Sequence, residues 1–253
     1  MLGLGFALGS TRVSGRPERW AGPALRALWD AERAGSLELA GSNVTGWRDV
    51  AGGHVASQAV SGSKPLYVAA GFGGRPGLLF DGTDDFLNLE AMPFPSGTAA
   101  SEIWVLADWL MPAGADTAAR TLIGYGGAGT VDSRRVQRGV FGGRNVARLA
   151  VGTGITVQSV TDVGDFSGRH LVRGQFGPVS SIAVDGVAKA SSPDAPDSGW
   201  TRLRIGARTS AVAAEHAHMA VSAVAIVDPA QAGWNEAKAA RLTAWMLARK
   251  EGR

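Results

Sequence analysis

Two periodicities divide the chain. From Leu25 to Val227 apolar residues come in short runs, many alternating with polar or small ones at the period of two that sends successive side chains to opposite faces of a strand. From Asn235 to Arg249 they recur at helical spacing. The run Met219–Val227 is apolar or small on both faces, which predicts a strand covered on both sides. Asp228 and Pro229 stop it. Trp234 and Asn235 then supply an apolar residue and a capping side chain, and Ala239, Leu242, Trp245 and Met246 share one side of the predicted helix.

Upstream, the alternation predicts strands at Leu25–Trp29, Val44–Trp47, Leu78–Phe80, Phe86–Leu89, Ile103–Leu110 and Thr121–Tyr125. Further strands are predicted at Val140–Phe141, Ala147–Val151, Thr156–Val160, His170–Phe176, Ser181–Val184 and Leu203–Ile205. Such regular spacing argues for an all-β antiparallel sandwich or barrel ending in a helix, not alternating α/β units. The 36 glycines and 11 prolines sit between the apolar runs, as turn residues of an antiparallel sheet do.

Composition limits the alternatives. A chain of 253 residues with 45% hydrophobic content can bury one sizeable core, so the expected organisation is an arm over residues 1–18 and one domain over 19–253. Without cysteine there are no disulfides or thiolate metal sites. The formal charge of +3 comes from arginines interleaved with 22 acids, and only Arg134, Arg135 and Arg138 approach a basic stripe. They read as a solvated loop, and no nucleic-acid partner is expected. No stretch approaches the ~20 apolar residues of a membrane helix, so no membrane insertion is expected. The first nine residues lack a basic start and a cleavage pattern, so synthesis in the cytoplasm without a signal peptide is expected.

Within the arm, Leu2, Leu4, Phe6 and Leu8 alternate with glycine and alanine, making a strand with almost no side chain on one face. Such a strand can pair inside its own domain or add to a partner's sheet in assembly.

A series of short segments carries a resemblance. Leu28-Trp-Asp-Ala-Glu, Val44-Thr-Gly-Trp-Arg-Asp49, Gly74-Arg-Pro, Phe80-Asp-Gly-Thr-Asp-Asp-Phe, Arg169-His-Leu-Val, Val184-Asp-Gly186, Arg204-Ile-Gly206 and the segment from Asp228 to Trp245 together resemble the concanavalin A-like, laminin-G-like jelly roll. The likeness runs from about Leu25 to the C-terminus. It implies two curved antiparallel sheets packed face to face, with a concave face or rim loops that bind glycans. The Met-Leu-Gly-Leu-Gly opening before such a module is similar to surface (spike or fibre) proteins of tailed phages and gene transfer agents. What that implies is a structural protein on a virion or phage-like particle, expected to be a homo-oligomer, held to other virion proteins by the arm and attached to host capsular or envelope polysaccharide. A decoration or adaptor without ligand binding and a polysaccharide-degrading hydrolase are the alternatives.

Glycoside hydrolysis needs two carboxylates flanking one bond. No Glu-x-Asp-x-x-Glu strand of the laminarinase-like kind occurs. Glu102 and Asp108 share parity on one predicted strand, but about 20 Å of extended chain separates them, against roughly 5 Å for a retaining pair. Glu102 reads as a strand-end charge, and no catalytic residue is expected. His216 and His218 share parity with Glu215 beside them, a weak metal set, while His170 reads as a packed strand residue. Asp81, Asp84 and Asp85 form an acidic cluster that can bind calcium, the one cofactor considered, or serve as ordinary turn chemistry, the reading favoured.

Sugar recognition couples an aromatic face with planar polar side chains. Trp104 and Asp108 share one face of their strand, Arg148 and Arg173 alternate with apolar neighbours, and Arg144 and Tyr125 lie in adjoining turns. Trp200, after Asp197-Ser-Gly199, reads as a rim residue, whereas Trp29, Trp47, Trp109 and Trp245 read as core. These arginines suit an acidic polysaccharide.

Overall fold

The computed structural model describes residues 15–90, 100–110, 119–126, 133–141, 144–151, 156–159, 166–193, 202–209 and 215–252. A short helix α1 (Pro17–Trp20) leads into β1 (Leu25–Asp30), β2 (Leu37–Ala40), β3 (Asn43–Arg48), β4 (Val55–Ser57), β5 (Leu66–Phe72), β6 (Arg75–Asp81), β7 (Leu87–Leu89) and β8 (Ser101–Trp109). Next come β9 (Arg120–Gly126), β10 (Ser133–Phe141), β11 (Arg144–Val151), β12 (Thr156–Ser159), β13 (Gly168–Phe176), β14 (Val179–Val184), β15 (Val187–Pro193), β16 (Arg202–Ile205) and β17 (His218–Val227), and the helix α2 (Glu236–Lys250) closes the chain.

These strands make an antiparallel sandwich. In the first sheet β17 pairs with β8, β8 with β13, β13 with β14 and β14 with β15. The other side of β17 is shared by β6 at its start and β1 along the rest. In the second sheet the order runs β2, β3, β4, β7, β16, β9, β10, β11, β12. The hairpin of β5 and β6 joins the two sheets, since β5 touches β3 while β6 lies on β17.

Burial follows the alternation in the sequence. Ile103, Val105, Ala107 and Trp109 of β8, Val221, Val224 and Ile226 of β17, and Ile123, Val136, Leu149, Leu203 and Ile205 of the second sheet meet in one core between the sheets. Trp29 and Trp47 are part of it, and the Trp29 indole donates to the Trp47 carbonyl at 2.9 Å. The other faces of β8 and β17 carry Trp104, Leu106, Ala223 and Ala225, and these form a second core with Leu242 and Met246 of α2. Alanines at 223 and 225 are small enough for a helix to lie directly on the sheet, which accounts for the doubly apolar pattern of β17. Asn235 caps α2, its side chain accepting from the Lys238 amide at 3.0 Å. Trp245 is only partly buried, packing against that second core under the Arg249 guanidinium.

The helix ends on two charge contacts. Arg249 grips the buried Asp30 carboxylate with both terminal nitrogens, at 2.6 and 3.0 Å, and Lys250 reaches Asp185 at 2.6 Å. Pro17 is buried and Glu18 pairs with Arg33, so these two residues belong to the packed body. Leu2, Leu4, Phe6 and Leu8 lie outside the described residues. Among the described residues no helix is long and apolar enough to cross a membrane.

Two expectations are corrected by this packing. The segment with Arg134, Arg135 and Arg138 is not a solvated loop but strand β10, with all three arginines buried. Glu102 does lie at the start of β8, but not as a free strand-end charge; it is 3% exposed and accepts from Arg173 at 2.9 Å and Gln175 at 2.8 Å.

Candidate functional site

Because Leu87, Ile123, Val136, Leu149, Leu203 and Ile205 point into the core, residues of opposite parity on the same strands face outward from the second sheet. Cross-strand register aligns one outward row as Asn88, Arg204, Gly124, Arg135 and Ala150. The next row holds Thr121, Gln137 and Arg148. Two strand spacings separate Arg204 from Arg135, about 10 Å at the Cα atoms, with only a glycine between them.

Above these rows sits Glu215. Its Oε2 accepts from Thr121 Oγ1 at 2.8 Å and Gln137 Nε2 at 2.6 Å, and its Oε1 accepts from Arg208 Nη1 at 3.2 Å. At the other end Arg202 pairs with Glu90 at 3.1 Å, while Arg204 donates to Asn88 Oδ1 at 3.3 Å and to the Arg208 carbonyl at 2.9 Å. The Arg204 guanidinium also lies 4.9 Å from the centre of the Phe86 ring. Phe86, Asn88, Gln58, Arg202 and Arg204 line a cavity of about 480 Å³.

Among the described residues, the arginines of this face outnumber its carboxylates, Glu215 and Glu90. Arg135 is 5% exposed, and its Nε and Nη1 are buried without a hydrogen-bond partner. Burial pushes its guanidinium below the ordinary arginine range; Glu215 opposes that shift, and Arg208 and Arg148 add to it. Arg148 and Arg204 are lowered too, again first by burial, with Glu215 opposing in the one case and Arg202 adding to the shift in the other. These three cations, Arg135, Arg148 and Arg204, are therefore held at a cost that an incoming anion would reduce.

The residues expected to bind sugar are split between the two sheets. Arg148 lies on the outer face of the second sheet, as described. Trp104 does not offer a ring to a ligand: it is 0% exposed under α2, edge-on to Trp234 with ring centres 6.0 Å apart. Arg173 stacks on Trp104 at 4.9 Å and is held by Glu102, so it serves the first sheet. Tyr125 belongs to β9 and points inward, its hydroxyl 2.5 Å from Ser101 Oγ and its ring against Phe176. Asp108 is half-buried on the first sheet opposite Arg169; burial raises its carboxyl, and Arg169 and His170 oppose the shift. Arg144 opens β11, and Trp200 lies outside the described residues.

The parity reading of β8 was correct, but it did not reveal that α2 covers the Trp104 face. As residues of a ligand site, Arg135, Gln137, Arg202, Arg204, Arg208, Glu215 and Phe86 were not expected: Arg135 read as part of a basic loop and Glu215 as a neighbour of a weak metal set. The alternation Arg202-Leu203-Arg204-Ile205 carries a usable signal for two of them.

The acidic turn is satisfied locally. Asp81 Oδ1 accepts from the Thr83 amide at 2.8 Å and the Asp84 amide at 3.3 Å, and Asp85 Oδ2 accepts from the Asp81 amide at 2.9 Å. Candidate ligand atoms of Asp81, Asp84 and Asp85 all lie within 4.8 Å of one another. Burial raises the Asp85 carboxyl to about 6, with the Asp81 amide opposing and the Asp81 and Asp84 charges adding to the rise. For Asp81 burial raises the carboxyl, but the amides of Thr83, Asp84 and Asp85 and the Thr83 side chain together lower it. His216 Nδ1 lies 3.4 Å from the Asp85 carbonyl, whereas His170 is bound by Asp185 at 2.8 Å and stacks on Phe166.

No protein-family model and no curated protein matches this chain in sequence. Its fold is similar to that of Trypanosoma rangeli sialidase in complex with sialic acid, with a TM-score of 0.55 and 13% identity over 88% of this chain and 32% of that one. It is also similar to the binding domain of Paraclostridial Mosquitocidal Protein 1, with a TM-score of 0.52 and 10% identity over 92% of this chain and 52% of that one. Domain 4 of AbnA, a GH43 extracellular arabinanase from Geobacillus stearothermophilus in complex with arabinotriose, gives a TM-score of 0.50 and 13% identity over 81% of this chain and 92% of that domain. The chain thus spans about a third of the sialidase and about half of the toxin domain. At these identities the likeness is one of fold.

Proposed function

We propose that this chain is a non-catalytic carbohydrate-binding protein that holds an acidic polysaccharide across the arginine rows of its second sheet. The observation that carries the reading is Arg135, a nearly buried guanidinium with two unpartnered nitrogens, aligned with Arg204 across Gly124 and followed by Arg148. Carboxylates, sulfates and phosphates on a glycan offer the charged oxygen acceptors that the planar guanidinium takes. Phe86 beside Arg204 adds an aromatic face next to a guanidinium. Two proteins of similar fold are named in complex with saccharides, sialic acid and arabinotriose, which supports a carbohydrate ligand.

On a virion or phage-like particle such a site would act by multivalent attachment to host capsule or envelope polysaccharide. A single site of about millimolar strength becomes retentive when many copies share one surface. The alternating arm of Leu2, Leu4, Phe6 and Leu8 is the part proposed to dock into other particle proteins. A role without hydrolysis is favoured by the local use of the candidate carboxylates: Glu215 and Glu90 are engaged by arginines, and Asp81 and Asp85 by turn amides.

Binding of the purified chain to immobilised acidic and neutral polysaccharides, across salt concentrations, tests this. The expected result is preference for the acidic polymers, weakening with salt, reduced by R135A and R148A, with polymer length unchanged. Equal binding to neutral polymers, or indifference to both substitutions, would overturn the ligand assignment; shortened polymer would establish an enzyme.

A further inference from the structure

We infer that the protein has a second ligand site, at the end of the sandwich beside the start of α2, and that it takes a neutral sugar ring. A cavity of about 550 Å³ opens there between the turn joining β13 to β14 and the segment leading into α2. Its walls include Glu102, Gln175, Phe176, Pro178, Val179 and Trp234. That volume lies within the range of small-molecule pockets.

The chemistry of the walls selects the ligand. Glu102 is nearly fully buried, yet only Oε1 is used, accepting from Arg173 Nη2 and Gln175 Nε2. Oε2 is buried with no hydrogen-bond partner. A buried carboxylate oxygen left without a donor costs free energy, and a ligand hydroxyl in this cavity would supply one. The Glu102 charge already has its counter-ion in Arg173 at 2.9 Å, and the second carboxylate near that arginine, Glu236 at 3.9 Å, is exposed to solvent. The missing element is thus a neutral donor and not a cation.

Trp234 provides the complementary surface. It is half-buried beside Trp104, and Phe176, Pro178 and Pro229 extend the apolar wall. An aromatic wall next to a carboxylate acceptor and an amide side chain suits the C–H face and the vicinal hydroxyls of an uncharged pyranose. This site is on the first sheet, whereas the arginine rows are on the second, so one can fail without the other.

The test is amide and indole NMR of the full chain titrated with methyl α-glucoside, methyl β-galactoside and N-acetylglucosamine, with tetramethylammonium as a cation probe. The expected result is saturable shifts of the Trp234 indole and the Gln175 side-chain amide with at least one sugar, at a Kd of about 1–10 mM. W234A, read by the Gln175 amide since it lacks that indole, and V179W, read by both signals, should abolish the shifts; Val179 is 61% exposed, so a larger side chain there obstructs the mouth without entering the core. R135A should leave them unchanged. Absence of saturable shifts with all three sugars, shifts that survive both variants, or saturation by tetramethylammonium alone would overturn the inference.

Discussion

The guanidinium of Arg148 on β11 lies across Gly139 on β10, in the space that a Cβ at position 139 would occupy. Arg135 repeats the arrangement over Gly124, where an added Cβ would meet its Cγ at 3.2 Å. A glycine in a strand interior gives up side-chain packing and backbone entropy; here the two glycines leave the space that the arginine side chains fill.

Alanine at either glycine should therefore move an arginine without unfolding the sheet. G139A displaces the mobile end of Arg148, and G124A shifts Arg135 at its stem. We expect Tm within about 3 °C of wild type and affinity for an acidic polysaccharide lowered about five-fold or more, read by thermal melts and calorimetric titration. Unchanged affinity in both variants would detach these arginines from binding.

The Asp30 carboxylate depends on α2. Its two oxygens are held by Arg249, which also stacks on Trp245 at 4.0 Å. R249A leaves a buried carboxylate without its cation, and we expect a loss of about 3 kcal/mol in denaturant unfolding. The double substitution D30N/R249M should recover a large part of it; a loss undiminished in the double variant would mean that Arg249 acts through packing on Trp245.

Asp85 should make the fold less stable as pH rises. Its folded carboxyl titrates at about 6 against an ordinary 3.8, so the folded state binds the proton more tightly than the unfolded chain. The contribution is fully present below about pH 4 and is lost as pH rises through 6. D85N removes the titration, and we expect it to exceed wild type by about 3 kcal/mol at pH 8 and to come close to it near pH 4. Calcium at about 5 mM should leave the wild-type Tm unchanged, since turn amides already use these carboxylates; a rise at that concentration, typical of weak calcium modules, would reassign the turn.

Asp185 has the opposite sign. Burial raises its carboxyl, but His170, Lys250 and the Leu171 amide outweigh that and hold it at about 2. Its stabilisation is present above about pH 4 and disappears as pH falls through 2. Asp185 has φ of +51°, a conformation asparagine also tolerates, so D185N isolates the charge. We expect D185N to melt below wild type at pH 6 and to converge with it near pH 2; a gap independent of pH would point to backbone strain instead.

Strand placement was largely legible because period-two alternation is a local property. Met219–Val227, Ile103–Leu110 and Leu203–Ile205 all fall within observed strands to within a residue or two, and Asn235 is the cap of α2. The strands β2, β4, β5 and β15 escaped notice because they carry few buried residues, or, in β15, an exposed Val187, and so show little alternation. The extent of β10 was missed for a different reason: Arg134 and Arg138 point to the buried side of the sheet, where apolar residues are the usual signal.

What the sequence alone determined is the antiparallel β class, the parity of the strands it located and the closing helix, since each depends on neighbours a few residues apart. Which of two possible faces meets the other sheet, the helix or solvent was decided only in three dimensions. Trp104 and Arg148 have the same kind of local pattern, a large side chain opposite a core-facing row, yet α2 covers one and leaves the other on the arginine face. The juxtaposition of Arg135 with Arg204 arises from the pairing of β9 with β16, a strand far from β9 and β10 in the chain. Local alternation defines two faces for a strand, but long-range pairing and packing decide which partners each face acquires.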